Sequence, residues 1–177
     1  MENDAVRIII TGGTFDKHYD AIKGTLTFKQ THLPEILEQS RITVPVALTV
    51  SRLIDSLDMG PGDREQILEE CRKAPENRII ITHGTDTMEN TAALLGKEGL
   101  GKTIVLTGAM VPFAMAGSDA VFNLGGAMTA VQLLPTGVYI AMNSRIFPWD
   151  RVHKNRGEGV FEGIPRDPSG AGNPEPV

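Results

Sequence analysis

A single cysteine in 177 residues, Cys71, excludes an internal disulfide framework and any metal site built from several thiolates. Its residue type and setting predict a semi-buried thiol on a helix. Basic clusters are also missing. With 17 Lys+Arg against 22 Asp+Glu, the net charge is −5, and no stripe of positive side chains is present to follow a phosphate backbone, so nucleic acid is excluded as a partner. No stretch approaches the roughly 18 apolar residues of a membrane span. The opening MENDAVRIII has neither the basic start nor the long apolar segment of a signal peptide, so a cytoplasmic protein without a membrane partner is expected. Aromatic residues are scarce at 5%, yet hydrophobic residues reach 41% and are mostly Ile, Val, Leu and Ala, a usage that suits an α/β sheet.

The apolar residues fall into short runs. Val6–Thr11 is cut off by Gly12-Gly13, the pattern of a central parallel strand buried on both faces. Similar runs occupy Val44–Val50, Arg78–Thr82, Lys102–Thr107 and Val138–Met142. Helical patterns lie between them at Leu33–Gln39, Gly62–Lys73, Thr87–Leu95 and Ser118–Leu134. Alternation of strands and helices predicts a single-domain α/β fold with a doubly wound, largely parallel sheet, whose ligands bind beyond the carboxyl ends of the strands. The catalytic domain is expected over 1–163, with a hairpin-like lid at 15–31, followed by a Pro/Gly-rich tail over 164–177.

Two strand ends carry hydroxyl and acid groups. In TGGT (11–14) the glycines allow close backbone approach and Thr14 presents its hydroxyl above the sheet, although a tight turn in which Thr14 satisfies a backbone group fits the same residues. HGTDT (83–87) also follows a buried strand and opens a helix, whose free N–H groups and dipole favour a carboxylate or a developing oxyanion. Asp86 or Thr87 as a simple N-cap is the alternative. A threonine needs a base within reach, and Lys154 in WDRVHKNRG (149–157) is the candidate, with Asp86 to hold it. A solvated surface lysine is the competing reading of that segment.

With TGGT (11–14), DSLDM (55–59), HGTDTMENTA (83–92), LTGAM (106–110), SDAVFNL (118–124) and DRVHK (150–154) in this order, the chain resembles the bacterial-type L-asparaginase and glutaminase family throughout residues 6–163. The resemblance implies hydrolysis of L-asparagine to aspartate and ammonia, with no cofactor and no metal. It makes Thr14 the primary nucleophile and Thr85 the second catalytic threonine, with Lys154 as its base. Asp86 would orient Lys154 and bind the substrate ammonium. Tyr19 corresponds to the lid tyrosine, at a shorter spacing from the first threonine than the family shows. Asp55 and Ser56 correspond to the grip on the α-carboxylate, Gly84 to a backbone position beside the substrate, and Ala109 to the carbonyl that receives the side-chain amide. Direct attack by water is the alternative route.

Full-length members of that family are nearly twice as long and carry a second domain that completes a neighbouring active site. A homo-oligomer, dimer or tetramer, is therefore expected to close the site here. Lys17, His18 and His153 are polar residues placed to substitute for the missing groups, and Arg145 and Trp149 are candidates for a dimer contact. Two other readings of the same residues are a weakly catalytic or non-catalytic amino-acid-binding module and an amidase subunit associated with an amidotransferase.

Overall fold

The computed structural model describes residues 4–165. Its centre is the strand the Ile-rich run predicts, β1 (Val6–Gly12). Alternate side chains of β1 enter opposite cores, because successive residues of a strand face opposite sides. Ile9 joins one cluster with Ile79 and Ile81, while Ile8 and Ile10 join the other with Ile80. Each such isoleucine contributes about 1.5–3 kcal/mol of burial.

The remaining main strands are β4 (Val46–Ile54), β5 (Arg78–Thr82), β6 (Thr103–Thr107) and β7 (Gly137–Met142), all parallel to β1 through their neighbours. An antiparallel β8 (Arg145–Pro148) completes a six-stranded sheet in the order β4-β1-β5-β6-β7-β8. The helices α1 (Leu33–Gln39) and α4 (Ala120–Leu133) cover one face, and α2 (Pro61–Lys73) and α3 (Met88–Glu98) cover the other. This is the expected doubly wound α/β arrangement, with helix limits within three residues of those expected. Cys71 is fully buried on α2, and burial pushes its thiol up to about 12, so it stays protonated.

Several features depart from expectation. The run at Val44–Val50 is an edge strand rather than a doubly buried one: Leu48 and Val50 face outward, the latter 57% exposed. Two connections unread in the sequence are hairpins. Asn143 and Ser144 both adopt positive φ, 54° and 61°, the backbone of a type I′ turn, which folds β8 back onto β7. Beyond it, β9 (Val152–Asn155) pairs with β10 (Val160–Gly163) through a turn whose Gly159 has φ +67°. Trp149 packs against the core and over Gly96 of α3, where a Cβ would collide with the indole ring. This contact occupies part of the ring within the chain, where a dimer contact is expected from the sequence. Arg145 is exposed, its guanidinium 5.1 Å from the Phe147 ring.

The lid is present. After a single 3-10 turn (Thr14–Asp16), β2 (His18–Asp20) pairs with β3 (Thr25–Thr27), and the Asp20 carboxylate accepts the N–H groups of Ile22 and Lys23. The lid is tied at its root, where the buried Asp16 carboxylate accepts the Thr31 hydroxyl and the His32 N–H, both at 3.0 Å. Of the expected tail, all but Ile164 and Pro165 lies outside the described residues.

Candidate active site

Because β1 lies between β4 and β5, the loops leaving the carboxyl ends of these three strands meet. Glycines make the meeting possible. Gly13, at φ +71°, donates its N–H to the Ile54 carbonyl at 2.9 Å, and a Cβ on it would overlap the Gly84 backbone. A Cβ on Gly84 would lie 2.6 Å from the Ser56 Oγ. TGGT, DSLDM and HGTDT are therefore packed backbone to backbone, and Thr14 and Thr85 each stand one residue beyond the contact. Gly108, just before Ala109, seals the fourth side, since a Cβ there would run into the His83 carbonyl.

Lys154 reaches this junction from β9. Its ammonium donates to the Thr85 hydroxyl oxygen at 2.8 Å and to the Asp86 carboxylate at 2.7 Å, with its side chain only 5% exposed. A buried ammonium between a threonine hydroxyl and a carboxylate is not the solvated surface lysine that its sequence context also permits. The Glu89 carboxylate on α3 accepts the Lys154 backbone N–H and fixes β9 over the helix start. Arg156 adds a second cation, its Nη2 donating to the Asp86 carbonyl at 2.7 Å.

Neither Asp86 nor Thr87 is a side-chain N-cap: no capping hydrogen bond is made at this helix start among the described residues. The Thr87 hydroxyl instead donates to the Ser56 carbonyl at 2.8 Å and accepts from Arg64 at 2.9 Å, locking DSLDM to HGTDT. His83 lies beneath them, fully buried, with Nδ1 2.7 Å from the Gly84 carbonyl and Nε2 2.8 Å from the Thr91 hydroxyl. Burial, helped by the nearby Arg64 charge and opposed by the Gly84 contact, pushes this imidazole down to about 4, so it is neutral at pH 7.

Ser56 is 1% exposed, and among the described residues its hydroxyl has no hydrogen-bond partner. Beside it, Asp55 pairs with Lys17 and accepts the Leu57 N–H at 3.1 Å. Burial raises the Asp55 carboxyl, but these hydrogen bonds and the Lys17 charge outweigh it and hold the group below the usual carboxylate range. Ala109 is buried in the loop after β6, and two residues of SDAVFNL hold that loop. The Asp119 carboxylate accepts the N–H groups of Met110 and Val111, and Asn123 donates to the Gly108 carbonyl at 3.0 Å. Those two positioning roles are not readable in the sequence, where Ser-Asp ahead of an apolar run signals only a helix start.

Other candidates are dispersed. Tyr19 is 60% exposed on the hairpin, where it pairs with Leu26. His18 stacks on His32 at 4.1 Å at the lid root, and His153 pairs with Glu162. Lys17 alone of the three suggested substitutes joins the junction. Among the described residues, no group of three or more His, Cys, Asp or Glu could hold a metal ion, and no helix is long and apolar enough to cross a membrane.

Two threonines on adjoining loops and an ion pair holding a lysine on one of them form a site suited to acyl transfer. Residues 5–165 match the family model described as asparaginase, N-terminal. The chain belongs to the asparaginase family. It is 29% identical over 169 residues to L-asparaginase 1 of Escherichia coli (strain K12), covering 90% of this chain and 50% of that protein. It is 34% identical over 131 residues to a glutamyl-tRNA(Gln) amidotransferase component of Thermococcus kodakarensis, covering 68% of this chain and 29% of that one. The thermostable L-asparaginase from Thermococcus kodakarensis superposes with a TM-score of 0.79 at 27% identity, over 90% of this chain and 51% of that structure. This asparaginase-family chain thus spans at most about half the length of these relatives.

Proposed function

We propose that the chain is an L-asparagine amidohydrolase. The observation that carries this reading is Lys154, mostly buried and hydrogen-bonded at once to the Thr85 hydroxyl and the Asp86 carboxylate. In this reading the Thr14 Oγ attacks the side-chain amide carbon of asparagine. The carbonyl oxygen takes the negative charge and backbone N–H donors stabilise it, then the C–N bond breaks and ammonia leaves with the threonine proton. Water next attacks the β-aspartyl ester, Thr85 and Lys154 accept its proton, and the ester bond breaks to release aspartate and return the proton to Thr14.

Lys154 is a base only once its own proton has left. A substrate ammonium settling on Asp86 would share that carboxylate with Lys154, and the Arg156 Nε lies 3.9 Å from it. Self-association belongs to the same proposal. α4 bears no charged side chain, yet Phe122 and Leu133 on it are 65% and 78% exposed, a face that a second copy would cover.

Ammonia release from L-asparagine tests the reading. Activity in the wild type that is lost in Thr14→Ala and Thr85→Ala supports it, and a folded wild type that releases no ammonia at millimolar substrate refutes it. The glutamyl-tRNA(Gln) amidotransferase relatives favour a second reading, in which ammonia is passed to a partner protein. Ammonia retained by a co-purifying partner rather than released would select it.

A further inference from the structure

The amidohydrolase reading leaves one largely buried charge without a task. Lys17 immediately follows the Thr14–Asp16 turn, and its side chain is 18% exposed, an uncommon setting for lysine. Its ammonium rests on Asp55, yet an ammonium has three N–H donors and Asp55 occupies one side of it. The residue after Asp55, Ser56, holds a hydroxyl that is buried and unpartnered among the described residues. A buried hydroxyl with nothing to donate to is costly and calls for an occupant. Across the Gly84 backbone, which touches Ser56, stands the opposite pole, the Asp86 carboxylate. The junction therefore offers a cation and a hydroxyl at one end and an anion at the other, which is the complement of a zwitterion.

The geometry points to Lys17 as the cation that reads the α-carboxylate of the amino-acid amide, with the Ser56 hydroxyl as second donor and Asp55 as the residue that positions the ammonium. This rests on the amidohydrolase reading above. It gives the lid a function beyond covering the site. The Lys17 N–H donates to the Thr14 carbonyl at 3.2 Å, so a carboxylate held by Lys17 also steadies the turn that carries Thr14. Binding at the unreactive end of the substrate is thereby used to place the nucleophile. If Lys17 were only a strap from lid to sheet, its loss would disturb every substrate alike.

The experiment compares kcat/KM for L-asparagine and for 3-aminopropanamide, which is asparagine without its α-carboxylate, in the wild type and in Lys17→Met. Loss of a charge-assisted contact lowers kcat/KM for asparagine by about 10- to 100-fold. The value for 3-aminopropanamide falls by less, since only the loosened attachment to Asp55 acts on it, so the preference for asparagine collapses. Lys17→Arg, which keeps the charge, recovers part of that preference. Titration calorimetry of L-aspartate against 3-aminopropanoate repeats the comparison without turnover, and Lys17→Gln repeats it if the methionine variant does not fold. An equal loss on both amides, or no loss on either, overturns the role of Lys17 while leaving the amidohydrolase reading intact. A wild type that cleaves neither amide overturns both.

Discussion

Two substitutions of Lys154 separate its charge from its proton. In Lys154→Met the Asp86 carboxylate loses its 2.7 Å partner. Breaking a fully buried pair from one side costs about 3–5 kcal/mol, and a solvated pair costs about 0–1 kcal/mol. Here the lysine side chain is 5% exposed but the aspartate 35%, and Arg156 stays near the same carboxylate. The expected destabilisation lies between those limits, at about 1–2 kcal/mol. The catalytic loss is larger, because a positioned base contributes about 100- to 10,000-fold, or about 3–5 kcal/mol of barrier. Lys154→Arg keeps a cation beside Asp86 and loses less stability, but a guanidinium does not give up its proton, so kcat falls as far as in the methionine variant. Urea unfolding measures the first quantity, and coupled ammonia detection under saturating L-asparagine measures the second. A folded arginine variant that retains more than roughly one tenth of the wild-type kcat shows that Lys154 acts through its charge and not as a base.

Gly13→Ala places a Cβ against the Gly84 backbone at a residue with φ +71°. A loss of about 2–4 kcal/mol by urea unfolding is expected, together with loss of ammonia release, and an active variant of normal stability would mean that the two loops need not touch. His83 makes the protein acid-sensitive. It titrates near 6.5 when unfolded and near 4 when folded, so between those values the unfolded chain binds a proton that the native one does not. Stability therefore rises with pH through this window and is lost as pH falls through it, by up to about 3 kcal/mol. A His83→Asn variant with the same slope of stability against pH would assign that dependence elsewhere. Specific activity is expected to fall on dilution along with the oligomer seen by sedimentation, and unchanged activity in a proven monomer contradicts self-association.

The parts of the fold legible in the sequence are those where local pattern and tertiary fate coincide. Ile8, Ile9 and Ile10 need burial on both faces and receive it, and the stripe of Ile67, Leu68 and Cys71 is the buried face of α2. The return of β8 onto β7 was not legible, since its turn uses Asn143-Ser144 in place of the Asn-Gly that marks such hairpins. The hairpin that delivers Lys154 is also opaque. VHKN has no apolar alternation to announce a strand, and it is held by pairing with Val160–Gly163 and by Glu89 on α3, contacts that only the folded chain supplies. Lys154 itself was legible only through the motifs around it. The seat of Trp149 on Gly96 was not legible either, because an exposed aromatic and one packed on a helix glycine look alike until α3 is placed.

The sequence treats the two threonines alike, each following a buried strand and a glycine, but the structure supports them unequally. Thr85 stands on a neutral His83 bridged to Thr91, with Lys154 and Glu89 above it, all of them tied to the sheet or to α3. Thr14 is held by backbone contacts at Gly13 and by a lid whose attachments are Asp16 to Thr31 and His32, and Lys17 to Asp55. A side chain fixed from several elements keeps its geometry without ligand, whereas one carried on a clasped loop gains precision when the clasp is loaded. Substitutions that loosen the lid, such as Asp16→Asn, therefore act on the placement of Thr14 and leave the contact between Lys154 and Thr85 in place. On the proposed mechanism, the attack on the amide slows in such a variant while hydrolysis of a preformed ester, assigned there to Thr85 and Lys154, is spared.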